Sequence, residues 1–151
     1  MPDPHFAALE RMYLAAPINT AHRPEIAVAE GGAVVTVEAT PALHHSAGAV
    51  HGSAVFKLLD DAAYFAAASL VRDVFVVTAQ FTVYFTRPVV GGVLRAEGRV
   101  AHAGRQQTVA EAVVTDEDGR EVGRGSGLFV RGRAPLAGAL GYADDSDASS
   151  G

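Results

Sequence analysis

A chain of 151 residues, 49% of them hydrophobic, has the length of one domain and the material for a substantial core. With no cysteine, disulfides, a cysteine nucleophile, an iron–sulfur cluster and any thiolate zinc site are excluded. Twelve basic against seventeen acidic side chains, a formal net charge of −5, argue against nucleic-acid binding through a basic surface. The charge is uneven. Residues 87–133 carry eight bases, all arginine, and six acids, and arginine is the side chain best shaped for phosphate or carboxylate, so a small anionic ligand is expected there. The segment Met1 to His5 lacks the positive region and apolar run of a signal peptide, and the apolar stretch Ser53 to Val71 is broken by Lys57, Asp60 and Asp61. A cytoplasmic protein with no membrane partner is expected.

Phe6, Leu9 and Tyr13 have helical spacing over residues 4–15, ended by Pro17. A hairpin follows, Glu25 to Ala29 and Ala33 to Ala39 about a Gly31-Gly32 turn, and Pro41 to Ala49 reads as a loop. Residues Gly52 to Arg72 form the long helix, apolar around most of its circumference and therefore in need of burial on nearly every side. Four β-rich segments complete the chain, 74–87, 92–102, 105–116 and 120–131, divided by Gly91-Gly92, Gly104 and the strong hairpin dipeptide Asp118-Gly119. Strict alternation over 77–87 places Val77, Ala79, Phe81, Val83 and Phe85 on a covered face and Thr78, Gln80 and Thr82 on a polar one. The sum is an α+β domain in which an antiparallel sheet wraps one helix. The expected division is a helix and lead-in over 1–20, the domain over 21–131, and a flexible acidic tail over 132–151.

Two adjacent carboxylates in the middle of that helix, Asp60 and Asp61, are out of place, because aspartate is a poor interior helix residue and costly to bury as a charge. Spacing separates them. Lys57 and Asp61 stand at i, i+4 and form an ion pair on a solvated edge, whereas Asp60 lies between Phe56 and Tyr64 without a charged partner four residues away. The helix begins with His51-Gly52-Ser53. Free N–H groups at a helix start make an oxyanion site, and glycine lets a carbonyl approach closely. Eight residues of helical rise separate Gly52 from Asp60 by about 12 Å, too far to act on one small group within one chain. A two-fold dimer that sets Asp60 of one copy against Gly52 of the other removes the difficulty.

The run His45-Ser-Ala-Gly48-Ala-Val-His51-Gly52-Ser53-Ala-Val-Phe-Lys-Leu-Leu-Asp60, with Thr78 opening a strand that ends in Thr86-Arg87-Pro88 and with Gly104-Arg105 beyond it, resembles the hot dog fold acyl-CoA thioesterases of the phenylacetic-acid-degradation (PaaI) type. The resemblance spans residues 33–131. It implies a hot dog fold and hydrolysis of an acyl-CoA thioester to free acid and coenzyme A. In the family pattern, Asn-x-x-Gly-x-x-His-Gly-Gly precedes a hydrophobic helix with an acidic residue; here His45 stands for the Asn and Ser53 for the second Gly. Carried over, Asp60 is the nucleophile or general base, the Gly52 N–H holds the thioester oxygen, His45 replaces the Asn, and Thr78 holds the water or the Asp60 carboxylate.

The acyl chain is expected beside Phe56 and Tyr64, with His51 and Ser53 at the helix start, and the coenzyme A phosphates near Arg87 and Arg105. No metal or redox cofactor is expected, since His44, His45 and His51 have no acidic residue among them. The expected assembly is a homodimer, paired further into a homotetramer. A hydratase or dehydratase using His51 or His45 as base, and a noncatalytic acyl-CoA-binding module, are the alternative readings.

Overall fold

The computed structural model describes residues 3–143. Helix α1 (Pro4–Ala15) is opened by Asp3, whose carboxylate accepts from the His5 N–H, with Pro4 at the first helical position where its missing N–H costs nothing. A short 3-10 turn, Pro17–Asn19, leads into the hairpin of β1 (Glu25–Ala29) and β2 (Gly32–Glu38). The long helix α2 (Gly52–Ala68) is followed by β3 (Val74–Phe85), β4 (Val93–Ala103), β5 (Gln107–Thr115) and β6 (Glu121–Pro135). All pairings are antiparallel, in the order β1-β2-β4-β5-β6-β3. Both expected classes of element are present, and the sheet curls around α2 as a hot dog fold.

The inner face of the sheet and the back of α2 make the core. Leu59, Val35, Leu94, Val114, Val122 and Phe129 are fully buried, with Leu9 of α1 closing one end. Helix and sheet approach closely because β4 carries Gly98 beneath α2. A Cβ there would collide with the Ala62 carbonyl, so the residue must be glycine.

Two element ends and one strand register differ from the sequence reading. Helix α2 ends at Ala68 rather than Arg72. Ser69 turns its hydroxyl back onto the Ala66 carbonyl (2.6 Å) and accepts from the Gly31 N–H (2.8 Å), tying the helix end to the β1–β2 turn. Strand β6 runs to Pro135, four residues past the expected end of the domain at 131, because Arg131 forks onto Asp73 and Leu136 is buried beyond it. Residues 136–143 continue as ordered structure in which Tyr142 packs on His5; the remainder of the expected tail lies outside the described residues. The loop 41–49 contains a 3-10 turn, Pro41–Leu43, and a bridge between His44 and Val50.

The third difference bears on the site. In β3 the register against β6 shifts between Thr78 and Gln80, which pair with the consecutive residues Phe129 and Leu128. Ala79 is therefore the extra residue of a β-bulge, and alternation changes phase across it. Val77 is turned outward and is 47% exposed, while Thr78 is half-buried and faces α2. The assignment of Thr78 to the polar face is corrected by this one inserted residue.

Candidate active site

Helix α2 is covered by the sheet along the stripe of Val55, Leu58, Leu59, Ala62, Ala63 and Ala66. Its other side, carrying Ser53, Phe56, Lys57, Asp60, Asp61 and Tyr64, is not fully covered within the protomer, and Phe56 remains 39% exposed. The expectation of burial on nearly every side therefore holds for only part of the helix in one copy.

On this open side Asp60 is half-buried. Among the described residues its sole hydrogen-bond donor is Thr78, whose Oγ1 lies 3.0 Å from Asp60 Oδ1. Desolvation pushes its pKa above the ordinary aspartate value, the Thr78 bond works against the rise, the neighbouring Asp61 charge adds to it and Lys57 opposes it. A carboxyl held in this way is poised as a base or nucleophile.

Asp61 has the ion pair that spacing indicated, with one added partner, but not the solvated edge. Lys57 Nζ donates to Asp61 Oδ2, and the same oxygen accepts from the Tyr13 hydroxyl of α1 at 2.8 Å. The Lys57 ammonium also stands 5.3 Å from the Tyr13 ring centroid. The pair is half-buried under α1, with side chains 28% and 16% exposed, rather than on a solvated edge. Tyr13 was not among the candidates, and a contact 48 residues away in sequence leaves no local signal.

Two cavities meet at Asp60. One, of about 750 Å³, is lined by Tyr64, Phe65, Phe75, Val76 and Thr78 on the side of α2 and β3, and by Ile18 and Leu140 on the outside. The other, of about 480 Å³, extends toward the helix start past Phe56, Ser53, Leu43 and His22. Lys57, Asp60, Asp61 and Tyr13 belong to both walls. Tyr64 is fixed by its hydroxyl, which donates to the Val76 carbonyl at 2.6 Å, and by edge packing on Phe65 and Phe129.

The second group of residues lies at the start of α2. His51 is the N-cap, and its Nδ1 accepts from the Ser53 N–H at 3.0 Å and meets the Ser53 hydroxyl at 2.8 Å. His45 is exposed in the preceding loop, with Nδ1 accepting from the Ala47 N–H at 3.1 Å and its ring 6.4 Å from that of His51. A Cβ on Gly52 would sit 3.2 Å from the Phe85 ring. Within one protomer this group and the Asp60–Thr78 pair stay two helical turns apart.

Arg87 and Arg105 are also kept apart. Arg87 follows the end of β3 near the start of α2, and Arg105 sits in the β4–β5 turn beside the residues that pair with the beginning of β3. Both are exposed and neither has an ion-pair partner among the described residues. Among those residues no three histidine or acidic side chains are placed to hold a metal, and no helix is long and apolar enough to cross a membrane.

The family model described as the thioesterase superfamily matches residues 47–123, the stretch from the loop before α2 through the start of β6. The chain belongs to the thioesterase superfamily. Among solved structures it is similar to the E. coli PaaI protein from the phenylacetic acid degradation operon, at 26% identity over 88% of this chain and 99% of that one, with a TM-score of 0.78. It is also similar to a conserved protein of Pseudomonas aeruginosa, at 28% identity over 80% of this chain and 98% of that one, with a TM-score of 0.74. No curated protein sequence matches it. The α1 helix and the 134–140 segment, which wall the larger cavity, lie outside the stretch that the thioesterase superfamily model matches.

Proposed function

We propose that the protein hydrolyses an acyl-CoA thioester to the free acid and coenzyme A, in a site shared between two copies of the chain. The observation that carries this reading is Asp60: a carboxylate at the junction of two apolar-lined cavities, paired with a hydroxyl and no cation, on a helix inside the stretch that the thioesterase superfamily model matches. In its ionised form Asp60 either takes a proton from water or attacks the thioester carbon itself, and Thr78 orients it. Negative charge develops on the carbonyl oxygen in either case. The Gly52 N–H, at the positive end of α2, is the group suited to receive it.

Dimerisation is supported by two features. Among the described residues β3 pairs only with β6 and leaves its other edge free, and the apolar side chains Val77, Tyr84 and Phe85 along it are 47%, 63% and 60% exposed. A copy covering this edge and the open side of α2 would remove both exposures, and it would allow Asp60 to face the partner's helix start. Dimers would pair further into a homotetramer. In this reading Phe56 and Tyr64 border the acyl group, His45, His51 and Ser53 shape the oxyanion end, and Arg87 and Arg105 serve coenzyme A phosphates, one from each copy, since one protomer does not bring them together. The site is cytoplasmic and the reaction uses no cofactor beyond the substrate's own coenzyme A.

The test is a panel of aryl-acetyl, benzoyl, short and medium fatty acyl-CoA esters, assayed for free thiol. Thiol release that follows enzyme concentration is the expected result. Hydration of enoyl-CoA without thiol release, or binding of the esters with no turnover, overturns the proposal.

A further inference from the structure

Helix α2 sets one ammonium against two carboxylates, and the way the three are distributed has a consequence for the reaction. Lys57 stands at i, i+3 from Asp60 and at i, i+4 from Asp61, so either carboxylate is within reach of its side chain. In the structure it is on Asp61. Two contacts from α1 hold it there: the Tyr13 hydroxyl donates to the same Asp61 oxygen, and the Tyr13 ring lies under the ammonium. Asp60 is left with the Thr78 hydroxyl.

We propose that Asp61 is a positioning residue of the hydrolysis described above: with Tyr13 it holds the Lys57 ammonium off Asp60 and so preserves Asp60 as a free base or nucleophile. An ion-paired Asp60 would be a weaker base and a poorer nucleophile, because the cation stabilises the carboxylate in the ground state. The raised pKa of Asp60 agrees with this distribution. Asp60 is faced by polar groups from three elements. Lys57, Asp61 and Tyr64 come from α2, Tyr13 from α1, and Thr78 from β3; His22 borders the adjoining cavity, and the 134–140 segment brings only uncharged side chains. Tyr13 and Tyr64 have their pKa values pushed up by burial and by the nearby carboxylates, so both remain neutral phenols across the working range. Among the described residues Lys57 is therefore the one lysine or arginine beside Asp60.

The proposal rests on the hydrolase reading, and a double-mutant cycle separates the two. Asp61→Asn keeps an acceptor for the Tyr13 hydroxyl but loses the charge that retains Lys57. Lys57→Met removes the ammonium at similar length. The carboxyl titration of Asp60 is followed by carbon NMR in wild type, both single variants and the double variant, with the resonance identified by its absence in Asp60→Asn, and kcat is measured on the same samples. Lys57→Met is expected to raise the Asp60 midpoint by about one pH unit more in the Asp61→Asn background than in wild type. Asp61→Asn alone is expected to lower kcat by about fivefold, and addition of Lys57→Met is expected to restore it. Equal midpoint increments in the two backgrounds, or a kcat loss that persists without Lys57, overturn the assignment. A non-additive titration in a protein that hydrolyses no thioester upholds the placement of the charge and overturns the hydrolase reading instead.

Discussion

The Thr78 hydroxyl reaches the Asp60 carboxylate, 3.0 Å away, because β3 holds one more residue than β6 beside it. Without the bulge at Ala79, a strand whose later residues Phe81 and Val83 pack toward the helix would present Val77 inward and turn Thr78 to solvent. The inserted residue thus converts a surface threonine into the partner of the central carboxylate. Thr78→Val should remove that donor and leave the carboxylate less stabilised. The acid limb of kcat/KM is expected to move up by about one pH unit, on the scale of a hydrogen bond to a charged group, while Thr78→Ser keeps the wild-type profile. A Thr78→Val limb that stays in place would show that the bond does not act in catalysis.

Asp60→Asn should lower kcat by about 100-fold or more, the scale of a general base. It should also raise the melting temperature. The folded pKa of Asp60 is raised above its unfolded value, so the folded state binds more protons between those two values. Stability therefore falls as pH rises through that window, and the penalty is fully present above the folded value. The amide carries no such penalty. Melting curves at acid and neutral pH should show the variant's advantage at neutral pH and its disappearance below the ordinary aspartate range.

The fold was legible because it depends on patterns that are local in sequence. The Asp118-Gly119 and Gly91-Gly92 turns, the alternation in β4 and β5, and the apolar run of α2 each appear within a dozen residues. Asp60 stood out for the same reason, as a carboxylate without a charged partner four residues away. Alternation hid the inward turn of Thr78, because a bulge is a relation between two strands and leaves no mark on one of them; only the family resemblance pointed to its contact with Asp60. The tether from Tyr13 to Asp61 and the end of α2 at Ser69 are equally non-local: the first joins α1 to the helix, and the second depends on the Gly31 N–H.

Gly98→Ala tests the packing that brings α2 onto the sheet. The added Cβ would collide with the Ala62 carbonyl, and backbone against backbone leaves no side chain to move aside. A loss of about 3 kcal/mol is expected, the upper part of the range for overpacking a core, read by urea denaturation. A variant as stable as wild type would mean that helix and sheet have more room than the structure gives them.

Arg105→Ala should raise KM for a coenzyme A ester with little change in kcat, because phosphate contacts bind ground and transition state alike. For the same acyl group on a thiol without the nucleotide, the substitution should have no effect. An equal rise in KM for both substrates would remove Arg105 from the phosphate site.

Mixed dimers test the shared site directly. Gly52→Pro deletes the helix-start N–H at the position where proline fits best, and His51 already has the extended backbone (φ −63, ψ 141) that a following proline requires. Asp60→Asn deletes the carboxylate. Each variant alone should be nearly inactive. If Asp60 of one copy works with Gly52 of its partner, a dimer formed from one chain of each kind has one intact site, and random re-association of equal amounts should recover about a quarter of wild-type thioesterase activity. Activity that stays at the level of the parents after subunit exchange, with mixed dimers confirmed by mass, would contradict the shared site.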